Sequence, residues 1–251
     1  MKPEDLVSRN ASLAPSVSAI IQDHGRAHIP GFLSEEVANE LLSAMRGLHW
    51  KLAISGQQNA YDLDPQELEA LAPQKRDGLL TTIYAQARDG FQFMFESYRL
   101  SDEYERGALL DGPLATFFAA WNNEITLGLL RSLTDDERIV YADAQATRYK
   151  PGHFLTQHDD GVEGKNRLFA YVLNLTPSWR TDWGGLLMFH DVDGHVSEAF
   201  TPKFGALNIL RVPQPHSVSF VTPFAGADRY SITGWLRSAP PAGLDLTAQA
   251  Y

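Results

Sequence analysis

Three residues in the second half of the chain carry the side chains of an open metal site. His158 and Asp160 are two positions apart, and a further histidine, His216, follows later in the chain. Residues two apart on an extended segment point to the same side, so the His158 imidazole and the Asp160 carboxylate can reach one ion. Two imidazoles and one carboxylate on one face of Fe(II) leave positions free for a co-substrate and for oxygen. We therefore expect these three residues to be metal ligands.

The pair His158-x-Asp160 is not specific by itself, and its surroundings give it weight. With 8 histidines and 31 acidic residues in 251 positions, chance supplies about one such pair. Pro151-Gly152 breaks a strand and lets the chain turn back, so that Tyr149 can face the pocket of His158. His216 follows two prolines and precedes an alternating strand, which suits a residue that closes a site. The alternatives are a solvated turn for the pair and a buried structural histidine for His216.

Composition narrows the classes of function. The net charge is −10, with 31 acidic against 21 basic residues, which makes a nucleic-acid partner improbable because phosphate binding needs a positive surface. The chain contains no cysteine, so a transition metal would be bound through nitrogen and oxygen. Residues 1–21 have neither a signal-peptide pattern nor a long apolar run. We expect a cytoplasmic protein without a membrane anchor.

The first part of the chain, residues 1–138, predicts helices. Ser34 can cap a helix whose apolar spacing runs from Val37 to Met45. The segments Ile83–Leu100 and Pro113–Leu133 also have helical spacing, the second with a proline in its first turn. Their aromatic stripes predict a packed core rather than a cofactor site.

From about Ile139 the sequence changes to short apolar or alternating segments separated by Gly, Pro and Asp, which is typical of a β-sandwich or barrel. Asp193-Gly194 predicts a tight hairpin turn. Helices followed by strands, with no linker between them, favour one α+β domain over residues 1–238, with the metal-binding core at 139–238 and a loosely ordered tail at 239–251. The predicted strands are Leu168–Leu175, Gly185–Phe189, Val196–Phe200, Ala206–Val212, Ser217–Val221 and Ser231–Leu236.

Four short motifs surround the candidate ligands. They are Tyr149-x-x-Gly152-x-Phe154-x-x-x-His158-x-Asp160, Trp183-Gly184-Gly185-x-Leu187, Val212-Pro213-x-Pro215-His216-x-Val218 and Arg229-x-Ser231. In this order they resemble the prolyl-hydroxylase branch of the Fe(II) and 2-oxoglutarate-dependent oxygenases, over residues 141–237. Within that branch the sequence is similar to the ribosomal-protein prolyl hydroxylases of yeasts and their bacterial relatives.

The resemblance implies a double-stranded β-helix, a jelly-roll barrel with the preceding helices packed on its larger sheet. It also implies a dioxygenase that uses Fe(II), the co-substrate 2-oxoglutarate and O2, with ascorbate as a stimulating reductant, and that releases succinate and CO2. The metal ligands, which are also the catalytic residues, would be His158, Asp160 and His216.

The same resemblance assigns the far carboxylate of 2-oxoglutarate to Arg229, with Tyr149 and Ser231 in support. A guanidinium suits this role because it binds a carboxylate through two parallel hydrogen bonds. More residues separate Arg229 from His216 than is usual in the family, so the loop formed by residues 222–228 must bulge outward. If it does not, Lys203 or Arg237 would take the role.

The expected substrate is a prolyl residue in a protein, with a translation component as the leading candidate, and this too comes from the resemblance. Residues 161–167, just after the ligand pair, have two glycines and mixed charge, as a mobile rim would. Arg167 on this rim is a candidate substrate contact. Trp179 and Trp183 could provide a flat apolar surface for a proline ring, or could simply pack in the core.

Two alternative functions stay open at this stage. The enzyme could act on a free amino acid or another small metabolite, or the chain could be a jelly-roll sensor that binds a small acid without turnover. Oxidative demethylation of nucleic acid conflicts with the negative charge. A rival metal site, His190–His195, is rich in ligands but is more readily an exposed hairpin tip around Asp193-Gly194.

Overall fold

The computed structural model describes residues 1–56 and 60–240. Most of the predicted tail, residues 241–251, lies outside the described residues. Most of the helices pack against one face of a large antiparallel sheet, and the main hydrophobic core lies between these helices and the sheet. The helices within residues 65–89 contribute to a second, smaller hydrophobic cluster. The helices are α1 (Pro3–Asn10), α2 (Ala14–His24), α3 (Glu35–Arg46), α4 (Pro65–Glu69), α5 (Pro73–Asp89), α6 (Leu100–Glu105), α7 (Gly112–Trp121) and α8 (Glu124–Thr134).

The strands run in the order β1-β11-β8-β13-β6-β4-β7-β12-β9-β10, with β2 and β3 joined to β4 and with β5 paired to β13. All the pairings are antiparallel. The strands are β1 (Arg26–Ile29), β2 (Lys51–Ser55), β3 (Ala60–Leu63), β4 (Phe93–Tyr98), β5 (Tyr141–Ala142), β6 (Gln145–Tyr149), β7 (Phe154–His158), β8 (Arg167–Asn174), β9 (Leu187–His190), β10 (Val196–Phe200), β11 (Leu207–Arg211), β12 (His216–Val218) and β13 (Arg229–Arg237).

The sheet curls into a nearly closed jelly-roll barrel. Its two end strands meet through side chains: Arg26 on β1 pairs with Glu198 on β10 at 2.6 Å, and the rings of His28 and Phe200 lie 5.3 Å apart. The predicted double-stranded β-helix is therefore confirmed.

Strand alternation separates the core from the site. On β13, Ile232 and Leu236 join the core beneath the helices, whereas Arg229 and Thr233 face a cavity inside the barrel. Successive side chains of a strand point to opposite faces, so one strand serves both purposes.

The predicted helix Ile83–Leu100 is wrong beyond its first turns. The helix α5 ends at Asp89, Gly90 is extended, and residues 93–98 form β4 between β2 and the barrel strands. Both faces of Phe93–Tyr98 are covered and its side chains do not alternate between apolar and polar, so its spacing fits a helix as well as a buried strand. The pairing with distant strands decides between them.

The predicted helix Pro113–Leu133 is two helices. The chain breaks at Asn122-Asn123, where the Asn123 side chain accepts a hydrogen bond from the Ile125 amide and so caps α8. The predicted strand Ser217–Val221 is shorter than expected, since β12 covers only His216–Val218.

The bounds of seven strands, β1 to β7, were not predicted, and four of these strands come from residues 1–138. The break at Pro151-Gly152 had indicated only that a strand is interrupted there, between β6 and β7. The seven strands are short, and several lack period-two alternation because both of their faces are covered, as in β2, whose three central residues are all buried. No helix among the described residues has both the length and the apolar character needed to cross a bilayer.

Candidate metal and co-substrate site

Two neighbouring strands bring the predicted metal ligands together. His158 ends β7 and His216 begins β12, and the two residues are paired in register. The Asp160 carboxylate lies between them, with Oδ1 3.7 Å from His158 Nε2 and Oδ2 3.5 Å from His216 Nε2. One ligand atom from each residue lies within 4.8 Å of the other two. A single ion can therefore contact all three residues.

A bulge and a turn aim the first two ligands. Between β7 and β12 the register shifts, so that both Leu155 and His158 face the cavity. Asp160 lies beyond the strand end with φ of 63°, a left-handed conformation that aspartate tolerates better than most residues. The pair therefore meets through a turn, and not through the strand alternation that its spacing suggests.

Backbone carbonyls determine which ring nitrogen carries the proton in each of the two histidines. His158 Nδ1 lies 3.0 Å from the Thr156 oxygen, and His216 Nδ1 lies 2.8 Å from the Gln214 oxygen. A carbonyl can only accept a hydrogen bond, so each Nδ1 carries the proton and each Nε2 presents a lone pair toward the centre. Burial, with a smaller effect of His158, lowers the pKa of His216 to about 4, which keeps this imidazole neutral. The donor set fits Fe(II).

The site opens into a cavity of about 90 Å³ inside the barrel. Tyr149 and Arg229 line it, and the Arg229 guanidinium carbon lies 5.1 Å over the Tyr149 ring. Arg229 is only 2% exposed, its Nε has no hydrogen-bond partner, and no carboxylate among the described residues is within salt-bridge distance of it. Burial lowers its pKa. A buried guanidinium without a counter-ion is costly, and an anion bound at this end of the cavity would offset that cost.

The position of Arg229 depends on glycine. A Cβ on Gly185 would lie 3.2 Å from both Arg229 Cδ and Trp179, and Gly185 has a φ of 63°. Trp179 and Trp183, the candidate substrate contacts, lie edge to face with their ring centroids 5.3 Å apart. Trp179 Nε1 donates a hydrogen bond to the Gly184 backbone oxygen. The structure thus places Trp179 behind the arginine, where it packs against the glycine pair, while Trp183 lies against Gly226.

Thr147, which was not predicted, lines the same cavity as Arg229 and is the register partner of Ser231. The Thr147 and Ser231 hydroxyl oxygens are 2.8 Å apart, and both side chains are buried. Gln145 and Thr233 continue the lining at the next positions along β6 and β13. The signal that could have found Thr147 and Gln145 is strand alternation, since they lie two and four residues before Tyr149.

Lys203 and Arg237, the alternatives to Arg229 for binding the co-substrate carboxylate, lie away from this cavity. Arg237 binds the half-buried Asp143, with Nε 2.6 Å from Oδ2. Lys203 lines a separate groove with His28 and Trp179. Arg229 is therefore the cation that faces the cavity next to Tyr149.

Arg167 reaches the metal site. Its Nη1 donates to the Asp160 backbone oxygen at 3.1 Å and lies 3.7 Å from Oδ1. The guanidinium stacks over the Trp235 ring at 3.5 Å.

The rival metal segment, His190–His195, is a hairpin tip instead. His190 Nε2 is hydrogen-bonded to the Ser217 hydroxyl, and the side chain of His195 is 82% exposed. Within residues 1–56 and 60–240, His158, Asp160 and His216 form the one cluster of three or more potential ligands.

Comparison with known proteins agrees with this geometry. Residues 144–237 match the 2OG-Fe(II) oxygenase superfamily. The mouse prolyl 3-hydroxylase OGFOD1 is 25% identical over 230 residues, which cover 84% of this chain and 40% of the mouse protein. The Xenopus laevis protein of the same name is 32% identical over 127 residues, 46% of this chain and 24% of that protein. The chain thus matches less than half the length of these curated relatives.

Solved structures show the same fold. A Pseudomonas putida prolyl-4-hydroxylase superposes with a TM-score of 0.57 at 19% identity, covering 90% of this chain and 100% of that one. A Trichoplax adhaerens prolyl hydroxylase, solved with a hypoxia inducible factor peptide fragment, gives 0.59 at 18% identity, covering 92% of each chain. The superfamily is named for 2-oxoglutarate, Fe(II) and oxygenase chemistry. The chain therefore contains, over residues 144–237, a 2OG-Fe(II) oxygenase segment similar to prolyl hydroxylases, as its motifs predicted.

Proposed function

We propose that the protein is an Fe(II) and 2-oxoglutarate-dependent dioxygenase that hydroxylates a prolyl residue in a protein. The observation that carries the proposal is one cavity with an open His158, Asp160 and His216 cluster and a buried arginine that has no counter-ion among the described residues. The metal and the arginine would bind the two ends of a small dicarboxylate.

The three ligand residues would hold Fe(II). When bound, this ion supplies the activation of O2, one atom of which enters succinate while the other becomes the hydroxyl group of the substrate, with loss of CO2 from 2-oxoglutarate. The protein supplies orientation. The Nδ1–H groups of both histidines are held by carbonyls, so the imidazole rings cannot rotate away without losing a hydrogen bond.

Arg229 and Tyr149 would bind the far carboxylate of the co-substrate. A guanidinium can donate two parallel hydrogen bonds to a carboxylate, and a phenol can donate a third. Burial raises the pKa of Tyr149 well above its ordinary value, so the hydroxyl keeps its proton as a donor. The hydroxyl group of Thr147, which lines the same cavity, is paired with that of Ser231 and can orient toward the anion.

The volume of the cavity supports a large substrate that stays outside it. About 90 Å³ is well below the roughly 300–1,000 Å³ of pockets that enclose drug-sized ligands. Such a space suits a small acid and leaves the target to be presented from the surface. A single residue of a polypeptide can be presented in this way. Arg167, at the rim beside Asp160, is placed to contact it.

The substrate class follows from the relatives by analogy. Both curated relatives are named as prolyl 3-hydroxylases, and one structural neighbour was solved with a peptide. We extend this to a cytoplasmic protein of the translation apparatus as the substrate, with hydroxylation at ring position 3.

The test supplies the protein with Fe(II), 2-oxoglutarate and air, and offers free proline in one reaction and proline-containing peptides from cytoplasmic proteins in another. Mass spectrometry scores the gain of one oxygen atom, and succinate is measured alongside. We expect modified peptides and little modified proline. Efficient oxidation of free proline with no modified peptide would favour a small-metabolite enzyme, and 2-oxoglutarate binding without succinate would favour a sensor.

A further inference from the structure

An exposed phenylalanine that the chemistry above does not use stands beside the metal site. Phe91, in the link between α5 and β4, is 52% exposed, and its ring centroid lies 5.6 Å from that of His158. The solvent-exposed face of the Phe91 ring contributes nothing to the stability of the fold. Its location next to a metal ligand is therefore a reason to look for a binding partner.

Phe91 begins a line of aromatic rings that leads into the barrel. The ring centroids are 5.7 Å apart between Phe91 and Phe93, 5.4 Å between Phe93 and Phe95, and 5.1 Å between Phe95 and Tyr149. Phe95 and Tyr149 line the cavity. The inner rings therefore form a wall of the co-substrate site, and the outer ring continues that wall to the surface.

Gln92, the residue after Phe91, anchors the backbone from which the Phe91 ring projects. The Gln92 side chain is buried and accepts hydrogen bonds from the Ser55 and Phe93 amides at 2.9 and 2.8 Å, and it donates to the Ser55 oxygen at 3.0 Å. Its backbone amide donates to the Thr156 hydroxyl at 2.8 Å. Phe91 is thus presented from a backbone tied to both β2 and β7. Rigid exposed aromatics are the residues that interfaces use as anchors.

We propose that Phe91 is a docking surface for an apolar side chain of the substrate polypeptide, close in sequence to the residue that is modified. This rests on the proposed function, since it assumes a polypeptide at the metal site. The occupant follows from position: Phe91 lies outside the small cavity but against His158, where a chain delivering one residue to the metal must pass.

Distances set the spacing between the two residues. A side chain packed on the open face of Phe91 would lie about 10 Å from the His158 ring, given ring-to-ring contacts of roughly 5 Å on each side. An extended chain covers about 3.4 Å per residue. The apolar residue should therefore lie within about three positions of the target.

The experiment uses short labelled peptides with a central proline in a Gly/Ser background, each carrying one leucine or phenylalanine at a chosen distance. Binding is measured by fluorescence anisotropy without oxygen, with Fe(II) and 2-oxoglutarate present, so that no turnover occurs. The proteins are the native chain, Phe91→Ala, Phe91→Leu and Leu110→Ala. Leu110 is 80% exposed between α6 and α7 and serves as the matched control. The same mixtures are then exposed to air and analysed by mass spectrometry.

We expect peptides with an apolar residue within about three positions of proline to bind Phe91→Ala about tenfold or more weakly. Phe91→Leu should retain most of the affinity, and Leu110→Ala all of it. Equal binding to the native chain and to Phe91→Ala, or no peptide binding at all, overturns the inference. Hydroxylation that is indifferent to Phe91 overturns it while the proposed function stands. Binding that depends on Phe91 without any gain of oxygen overturns the proposed hydroxylation and shows that Phe91 holds a polypeptide that is not a substrate.

Discussion

His158 and His216 face each other across β7 and β12 as a register pair, with ring centroids 4.1 Å apart. Two imidazoles this close, both with Nε2 directed at one carboxylate, are arranged for a shared ion. This relationship gives the first prediction.

His158→Ala and Asp160→Ala should each abolish Fe(II) binding and turnover, because two remaining ligands cannot hold the ion on an open face. Calorimetric titration with Fe(II) under nitrogen checks this. His195→Ala, in the exposed hairpin tip, is the control and should bind iron normally. Full activity of either ligand variant at low iron would refute the assignment.

Arg229→Ala should weaken 2-oxoglutarate binding while iron still binds. Losing a bidentate charged hydrogen bond costs about 2–4 kcal/mol, or ~30- to 1,000-fold in affinity. The half-saturating concentration of 2-oxoglutarate for succinate formation measures the effect, and Lys203→Ala is the cation control. An unchanged value in Arg229→Ala would refute its role in binding 2-oxoglutarate.

Arg167→Lys should lower the affinity for Fe(II) by about 10- to 100-fold, the usual effect of losing a partner of a metal ligand. The lysine keeps the charge but cannot stack flat over Trp235 while donating to Asp160. Titration with Fe(II), combined with thermal unfolding to verify the fold, measures it. Unaltered iron affinity would show that Arg167 does not position Asp160.

His153 should make the fold sensitive to mild acid. Burial lowers its pKa from 6.5 to about 4, while Glu96 opposes the shift, so the folded state holds a neutral imidazole that the unfolded chain would protonate. The free energy of unfolding should be unaffected by His153 above pH 6.5 and should fall as the pH drops toward 4, by about 3 kcal/mol at most.

The variant His153→Asn isolates this contribution. An asparagine side-chain oxygen can accept the hydrogen bond that the Lys150 backbone amide donates to His153 Nδ1. Asparagine does not titrate. Urea unfolding between pH 4 and 7 should show a smaller loss for His153→Asn than for the native chain. Parallel curves for the two proteins would contradict the prediction.

The jelly-roll fold that the motifs implied is confirmed, whereas the roles of the predicted site residues stay predictions. His158, Asp160, His216, Arg229 and Tyr149 lie in short motifs whose residue types state their chemistry, and the structure brings all five to one cavity. Thr147 was missed because a threonine on a strand has no distinctive type, and its role depends on its pairing with Ser231 on β13.

The bounds of strands β1 to β7 were missed for a different reason. Segment 93–98 fits a helix by spacing, and only its pairing with β2, β6 and β7 makes it a strand. Phe91 was missed with it, since the value of that residue comes from a contact with His158, 67 positions away in the chain. Local patterns do not encode such contacts.

The barrel closes where β1 meets β10, and it closes through side chains. Everywhere else along the sheet order, neighbouring strands share backbone hydrogen bonds. At this seam the main link is the ion pair between Arg26 and Glu198, with the glutamate side chain 44% exposed, and a partly exposed pair of this kind contributes about 0–1 kcal/mol and is screened by salt. The contribution of this ion pair to closing the seam should therefore fall as ionic strength rises, whereas backbone hydrogen bonds hold the β7–β12 ladder that carries His158 and His216.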